Sequence, residues 1–210
     1  LWLLVAAVAV PTLADRPRAA AGGAASLDPE VPEAVQEAAR QGRYYRASRI
    51  LGEYLAALPD TTPATILLAS RLSAGWGDWR GVSELLAGRG GRDEVDAGAG
   101  WALLGVSRIR QGRHEAGSEA LARYLAVSDP GDPERGIALV RRGLALGEAG
   151  RPDAARAALD SASSSLPWFG DWLDLFAAEV SAEVGDTAEV RRRLAASDPE
   201  LVNRSAPAPP

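Results

Sequence analysis

The sequence predicts an all-α fold, an α-solenoid of about five helical hairpins, and three observations carry that prediction. Five glycines recur at separations of 35, 35, 38 and 35 residues: Gly42, Gly77, Gly112, Gly150 and Gly185. A leucine follows each of them nine positions later: Leu51, Leu86, Leu121, Leu159 and Leu194. No segment shows the strict alternation of apolar and polar residues that indicates a half-buried strand.

Each repeat is predicted to be a pair of antiparallel helices, with the glycine ending the first helix in a left-handed conformation. The segments RQGRYYRASRILGEYL at 40–55 and RQGRHEAGSEALARYL at 110–125 show the repetition directly. A small or β-branched residue five positions after each glycine would let the two helices approach closely. One hairpin cannot bury its own apolar face, so neighbouring repeats must stack and bury the five leucines. The turn sequence SDPGDPE at 128–134 accounts for the single 38-residue spacing.

The third repeat resembles the tetratricopeptide repeat. Trp101, Leu104 and Gly105 occupy its Trp and Leu-Gly positions, and Tyr124 closes the second helix. The fourth repeat matches in part, with Gly143 in the glycine position, whereas repeats one, two and five lack the Trp and Leu-Gly pair. The resemblance implies a tetratricopeptide-like superhelix whose first helices line a concave groove.

Candidate groove residues follow by counting back from each glycine: Gln36, Arg40, Arg71, Ala102, Val106, Arg110, Val140, Leu144, Leu175 and Glu179. Arginines lie on the predicted groove in the first three repeats, whereas glutamates, Glu148, Glu179 and Glu183, lie there later. The groove is therefore predicted to run from positive to negative and to orient an extended or acidic partner. Ordinary solvated surface charge is the alternative.

Tryptophans form a second set of candidates. Trp76 and Trp79 bracket the turn of repeat two, and Trp168 and Trp172 are four residues apart at the start of repeat five. Their flat rings could stack on sugar rings as aromatic binding patches. We favour the interpretation that they wedge neighbouring hairpins together, because an alanine-rich core needs large fillers.

The chain divides into four segments. Residues 1–14 contain the uncharged run LWLLVAAVAV, too short to span a bilayer and typical of a signal peptide's apolar core, with an uncleaved N-terminal anchor as the alternative. Residues 15–28 read as a flexible linker, 29–196 as the helical repeats and 197–210 as a Pro-rich tail or linker to another domain. We therefore expect an exported, periplasmic protein, and the alanine-rich, lysine-free composition suggests a bacterium.

Composition and motifs favour a binding protein over an enzyme. The net charge of −5 gives no reason to expect nucleic acid, and the absence of cysteine excludes a disulfide framework. The single histidine, His114, has no second histidine or cysteine to join it as a metal ligand. RDEVDAG at 92–98 lacks the ligand pattern of a calcium loop, and GRGGR at 88–92 lacks the lysine of a phosphate loop. No catalytic residue, metal or cofactor is predicted.

A further resemblance concerns AGWGDW at 74–79, the segment 135–162 and LPWFGDWLDLFAAE at 166–179. These segments are similar to the N-terminal helical region of bacterial soluble lytic transglycosylases, whose separate catalytic domain cleaves peptidoglycan. That domain's Gly-Leu-Met-Gln motif needs a methionine, and this chain has none. The resemblance implies the non-catalytic arm of such an enzyme, with peptidoglycan or an envelope protein as partner. The alternative is a free-standing tetratricopeptide adaptor for protein–protein interactions in the cell envelope.

Overall fold

The structure, a computed structural model, describes residues 31–57, 61–87 and 98–197. These residues form ten α-helices and no strand: α1 (Glu33–Arg40), α2 (Tyr44–Ala57), α3 (Pro63–Gly75), α4 (Trp79–Ala87), α5 (Ala99–Arg110), α6 (His114–Val127), α7 (Glu134–Glu148), α8 (Pro152–Ser165), α9 (Gly170–Glu183) and α10 (Thr187–Ala196). A 3-10 turn, Pro167–Phe169, precedes α9. The predicted all-α, tetratricopeptide-like fold of five helical hairpins is confirmed.

Several sequence predictions concern residues that the structure does not describe. The signal or anchor at 1–14, the linker at 15–28, the GRGGR segment at 88–92 and most of the Pro-rich tail lie outside the described residues. The four segment boundaries therefore stay predictions. None of the helices in the described ranges is long and apolar enough to cross a membrane.

One turn geometry joins the two helices of every repeat. The five predicted glycines all have a positive φ, between 69° and 92°. Each glycine N–H donates to the carbonyl three residues earlier, and the next residue's N–H donates to the carbonyl five residues before it at 2.9 Å in all five turns. This pair of bonds is the Schellman motif, which satisfies the last carbonyls of a helix and favours glycine. The glycine spacing thus located all five turns correctly.

The described helices fall into two compact units, divided between Arg113 and His114. The N-terminal unit contains α1–α5 and the C-terminal unit contains α6–α10. Within each unit every helix packs against the next one in the chain. The first helices of adjacent repeats also touch, α3 with α5 and α7 with α9.

The leucine that follows each turn glycine by nine residues is buried in four of the five repeats. Leu51 and Leu86 lie in the N-terminal unit and Leu121 and Leu159 in the C-terminal unit, all essentially inaccessible to solvent. In the N-terminal unit Leu51 packs with apolar residues of α1 and α3. The stacking of hairpins predicted from the leucine spacing is confirmed at these positions.

A glycine sets the close approach of α7 to α8 in the C-terminal unit. A Cβ atom added to Gly143 would lie 2.8 Å from Cγ of Leu159 and 3.1 Å from the carbonyl oxygen of Ala155. Both distances are shorter than carbon side chains normally tolerate. The Leu-Gly position of the tetratricopeptide pattern therefore has a steric cause here, because only glycine lets the two helices come this close.

The last helix, α10, does not bury its repeated leucine. Leu194 and Val190 are only half-buried, and Arg193 is the buried residue of α10. Its guanidinium Nη1 lies 2.7 Å from Oδ1 of Asp160 on α8 and 2.8 Å from Oδ1 of Asp174 on α9. An arginine thus joins α10 to both preceding helices where the earlier repeats use a leucine.

Candidate functional site

The first helices of the N-terminal unit carry the arginine half of the predicted groove. Gln36, Arg40, Arg71 and Arg110 are exposed, as a partner-binding surface requires. Ala102 and Val106 of α5 are buried instead. The structure therefore places these two candidates in the core, and their side chains offer nothing to a partner.

Two of these arginines have defined neighbours. Nη2 of Arg40 lies 2.9 Å from Oε2 of Glu37, an exposed pair of the kind that contributes little to stability. The guanidinium carbon of Arg110 lies 5.7 Å from the ring centroid of Trp79, within cation–π range. Gln111 and Ser107 fix that contact, because Nε2 of Gln111 and Oγ of Ser107 both donate to the carbonyl of Trp79, at 3.0 and 2.7 Å.

The first helices of the C-terminal unit carry the acidic half. Leu144, Leu175 and Glu179 are half-buried, whereas Val140 is buried in the core. Glu148 at the end of α7 and Glu183 at the end of α9 are exposed. We call the accessible residues Leu144, Glu148, Leu175, Glu179 and Glu183 of these two helices the acidic face. Arg141 and Arg142 of α7 are half-buried as well.

The three carboxylates of the acidic face repel one another. Burial raises the pKa of Glu179, and the negative charges of Glu183 and Glu148 raise it further. None of the three makes an ion pair or a hydrogen bond with another side chain in the described part of the chain. The described residues therefore supply no ion-pair partner for these three carboxylates. The predicted change from positive to negative charge along the groove stays a prediction.

The predicted tryptophan candidates occupy different environments. Trp79 and Trp172 are half-buried, Trp76 is exposed, and Trp168 is 79% exposed. The wedge interpretation is therefore wrong for Trp168. Trp168 also lies in the 3-10 turn, not on α9, so it does not share a helix face with Trp172. The ring of Phe169 lies between them, with centroid distances of 5.4 Å to Trp168 and 6.2 Å to Trp172.

The sequence prediction missed two exposed tyrosines that join Trp76. Tyr44 and Tyr45 begin α2, and Trp76 follows the end of α3. The rings of Tyr45 and Trp76 are 5.1 Å apart and nearly perpendicular, at 83°. Tyr44 lies over Gly75, where a Cβ would come within 2.7 Å of the tyrosine Cγ. We call Tyr44, Tyr45 and Trp76 the aromatic corner. The double tyrosine immediately after a turn glycine was the signal that could have revealed it.

His114 opens α6 and is half-buried. Its Nδ1 is buried and has no hydrogen-bond partner among the described residues. No group of three or more His, Cys, Asp or Glu in the described ranges could hold a metal ion. Residues 92–97 of the RDEVDAG segment lie outside those ranges.

Comparisons with known proteins identify the fold and no closer relationship. The chain is similar to three solved structures of MamA, a tetratricopeptide-like helical protein. Two cover 84% of this chain and 95% and 91% of their own, at TM-score 0.65 and 18% and 19% identity. Another covers 76% of this chain and 89% of its own, at TM-score 0.64 and 19% identity. No protein-family model matches the chain. No curated protein matches it either.

Proposed function

We propose that this chain is a non-catalytic scaffold that binds segments of other proteins along the first helices of its repeats. The observation that carries the proposal is the acidic face of α7 and α9, which holds two half-buried leucines and three carboxylates with no ion-pair partner among the described residues. The exposed arginines of α1, α3 and α5 supply a surface of the opposite sign in the N-terminal unit. The tetratricopeptide-like fold supports protein partners over small-molecule substrates.

The chemistry of the two surfaces indicates how they would select partners. A basic segment on the acidic face would neutralise repelling carboxylates while its apolar side chains cover Leu144 and Leu175. An acidic segment would suit the arginines of the N-terminal unit. Complementary charge of this kind speeds encounter and fixes orientation more than it adds affinity, so binding should weaken as salt is raised.

We also propose an exported, periplasmic location, which the apolar run LWLLVAAVAV supports. The finer proposal is that the scaffold is the non-catalytic arm of a peptidoglycan lytic transglycosylase. The sequence resemblance of segments 74–79, 135–162 and 166–179 is its support. The similarity to MamA structures supports the free-standing adaptor more directly, so protein binding is the function to test first.

The test replaces Arg40, Arg71 and Arg110 together by alanine. The parent and the triple variant are compared for capture of partner proteins and for retention on purified peptidoglycan, each at low and at moderate salt. A matched control removes three exposed arginines from second helices, each of which forms an ion pair: Arg49 with Glu53, Arg80 with Glu84 and Arg192 with Glu189. Both variants lose the same net charge.

The scaffold proposal expects the parent and the control to capture acidic partner proteins and the first-helix variant to lose them, while basic partners stay bound through the acidic face. Retention on peptidoglycan alone, lost in the same variant, would favour the transglycosylase arm instead. Equal binding by all three proteins at both salts would remove the N-terminal arginines from the binding surface. In that case the same comparison with Glu148, Glu179 and Glu183 replaced by glutamine decides whether the acidic face binds.

A further inference from the structure

The aromatic corner is built from the start of α2 and the residue after α3, and none of its residues belongs to the predicted groove set. Tyr44 and Tyr45 belong to a second helix, and Trp76 follows a first helix at its turn. Tyr45 is 56% exposed and Trp76 is 43% exposed, and Tyr44 is exposed as well. Three neighbouring aromatic side chains are thus exposed to solvent, and the rings of Tyr45 and Trp76 are in contact. Exposed apolar clusters of this kind commonly mark an interaction site.

The perpendicular arrangement of Tyr45 and Trp76 limits what can bind. Two rings at 83° form a notch with one wall from each ring, and a compact apolar side chain such as leucine, valine or proline fits such a notch. Nucleic-acid bases are planar and stack best on a single broad ring face. A sugar ring, although puckered, also needs one open aromatic face for its C–H groups. The geometry therefore favours an apolar peptide side chain over a glycan or a nucleic acid.

Two arginines flank the tyrosines in the sequence Arg43-Tyr44-Tyr45-Arg46. Both are exposed, and neither forms an ion pair within the described residues. The neighbouring arginines of α1 and α2 differ, because Arg40 pairs with Glu37 at 2.9 Å and Arg49 with Glu53 at 3.1 Å. Within the described residues, the positive charge of Arg43 and Arg46 thus has no ion-pair partner.

We propose that the aromatic corner, with Arg43 and Arg46, is a second docking surface that binds an acidic segment of a partner protein. The segment places one apolar side chain in the notch formed by the rings of Tyr45 and Trp76, and its carboxylates on either side pair with the arginines. The proposal rests on the scaffold function in assuming a protein partner, but it uses a different surface from the first-helix faces. Gly75 supports this surface, because its missing Cβ leaves room for the ring of Tyr44.

The experiment starts from a random dodecapeptide library displayed on phage and selected on the purified chain. Bound phage are recovered by competition with the parent protein, and selection is repeated on a Tyr45→Ala, Trp76→Ala double variant. The proposal expects peptides enriched on the parent alone, with an apolar residue between aspartates or glutamates. An enriched set without excess acidic residues, or one that the double variant selects equally well, overturns it. So does a selection that yields no peptide dependent on the corner.

The selected peptide is then synthesised with a fluorescent label, and its Kd is measured by anisotropy. Tyr45→Ala and Trp76→Ala should each weaken binding by about tenfold, as expected for exposed aromatic anchors. Arg43→Gln with Arg46→Gln should weaken it by about fivefold at low salt and by less at high salt. The controls Trp168→Ala and Arg192→Gln alter an exposed tryptophan and a paired, exposed arginine of the C-terminal unit, and should change the Kd by less than about twofold.

A further variant separates failure of this proposal from failure of the scaffold function. The Arg40, Arg71 and Arg110 triple alanine variant should bind the selected peptide as the parent does. If that variant loses the peptide while the corner variants keep it, the first-helix faces bind the segment and the aromatic corner is not a docking surface. A chitooligosaccharide that competes for the corner, with no competition from acidic peptide, would assign the surface to a glycan and overturn the proposal.

Discussion

Replacing Arg193 by alanine should loosen the attachment of α10, because this side chain joins the helix to its two predecessors. The side chain is 10% exposed. Its guanidinium pairs with Asp160 and Asp174 at 2.7 and 2.8 Å, and its Nε donates to Oε1 of Glu189 at 2.8 Å. Leu194 is only half-buried, so apolar packing cannot replace these contacts.

The magnitude follows from the exposure of the partners. A hydrogen bond to a charged group contributes about 1.5–3 kcal/mol when water is excluded. Asp160 is 53% exposed and screened by water, whereas Asp174 is mostly covered and would be left without its partner. We therefore expect a loss of about 2–4 kcal/mol in the free energy of unfolding, between the value of a surface ion pair and that of a fully buried one.

Urea unfolding followed by circular dichroism measures this loss, and amide hydrogen exchange shows whether α10 opens by itself. Repeat proteins can unfold in parts, so the two measurements are needed together. Arg192→Ala is the matched control, because Arg192 pairs with the same Glu189 but is exposed, and it should lower the free energy of unfolding much less than Arg193→Ala does. Equal effects of the two substitutions would refute the argument that burial makes Arg193 important.

The pH dependence gives an independent check. Hydrogen bonds from Arg192 and Arg193 lower the pKa of Glu189 to about 2. A depressed carboxyl pKa stabilises the folded state above the unfolded value of about 4.5, and this contribution disappears as pH falls toward 2. The difference between the parent and Arg193→Ala should therefore be constant between about pH 6 and 8 and shrink in acid. A difference that grows below pH 4 would contradict the assignment.

Three further predictions concern single positions and are measured by thermal and urea unfolding. Gly143→Ala should lower the free energy of unfolding by about 1–3 kcal/mol, because the added methyl group meets a leucine and a backbone carbonyl of α8. Gly52→Ala, with open space around it, should raise the free energy of unfolding by about 0.4–1 kcal/mol. Glu179→Gln should raise the free energy of unfolding by about 0.2–0.5 kcal/mol at pH 7, because the raised pKa of Glu179 shows that its charged form is unfavourable in the folded protein. This increase should vanish below about pH 4, where the carboxyl group is protonated. An increase that persists there would contradict the electrostatic explanation. His114→Ala should change stability by less than about 0.5 kcal/mol, because its buried Nδ1 has no hydrogen bond to lose among the described residues. Loss of a bound metal in that variant would show that His114 is a ligand.

The repeat spacing was readable from the sequence because the turn is a local structure. A positive φ at one residue and two backbone hydrogen bonds define it, and glycine is the residue that adopts it most easily. The leucine nine positions later falls on the inner side of the second helix by helix geometry alone. These features need no knowledge of the neighbouring repeat, so Gly112 and Leu121 could be placed without a structure.

The fifth repeat and part of the binding surface could not be placed in the same way. The sequence has three consecutive arginines, Arg191 to Arg193, and only the tertiary positions of Asp160 and Asp174 decide which one is buried. Counting from the glycines also assigned Val140 to the groove. α7 packs against α6, α8 and α9, so only a narrow stripe of it reaches solvent. The distance of a residue from the turn glycine does not show how much of the helix its neighbours cover, so counting alone could not show that Val140 is buried.

The acidic face joins the stability predictions to the function. Carboxylates four residues apart on one helix, as in Glu179 and Glu183, destabilise that helix by a few tenths of a kcal/mol. A surface kept at a cost in stability is common at binding sites, where removing the strain stabilises the protein and weakens its function. If Glu179→Gln raises the free energy of unfolding and also weakens capture of a basic partner, the repulsion belongs to a binding surface. A gain in stability with unchanged capture would make the acidic face an ordinary solvated surface and leave the arginines and the aromatic corner as the partner-binding surfaces.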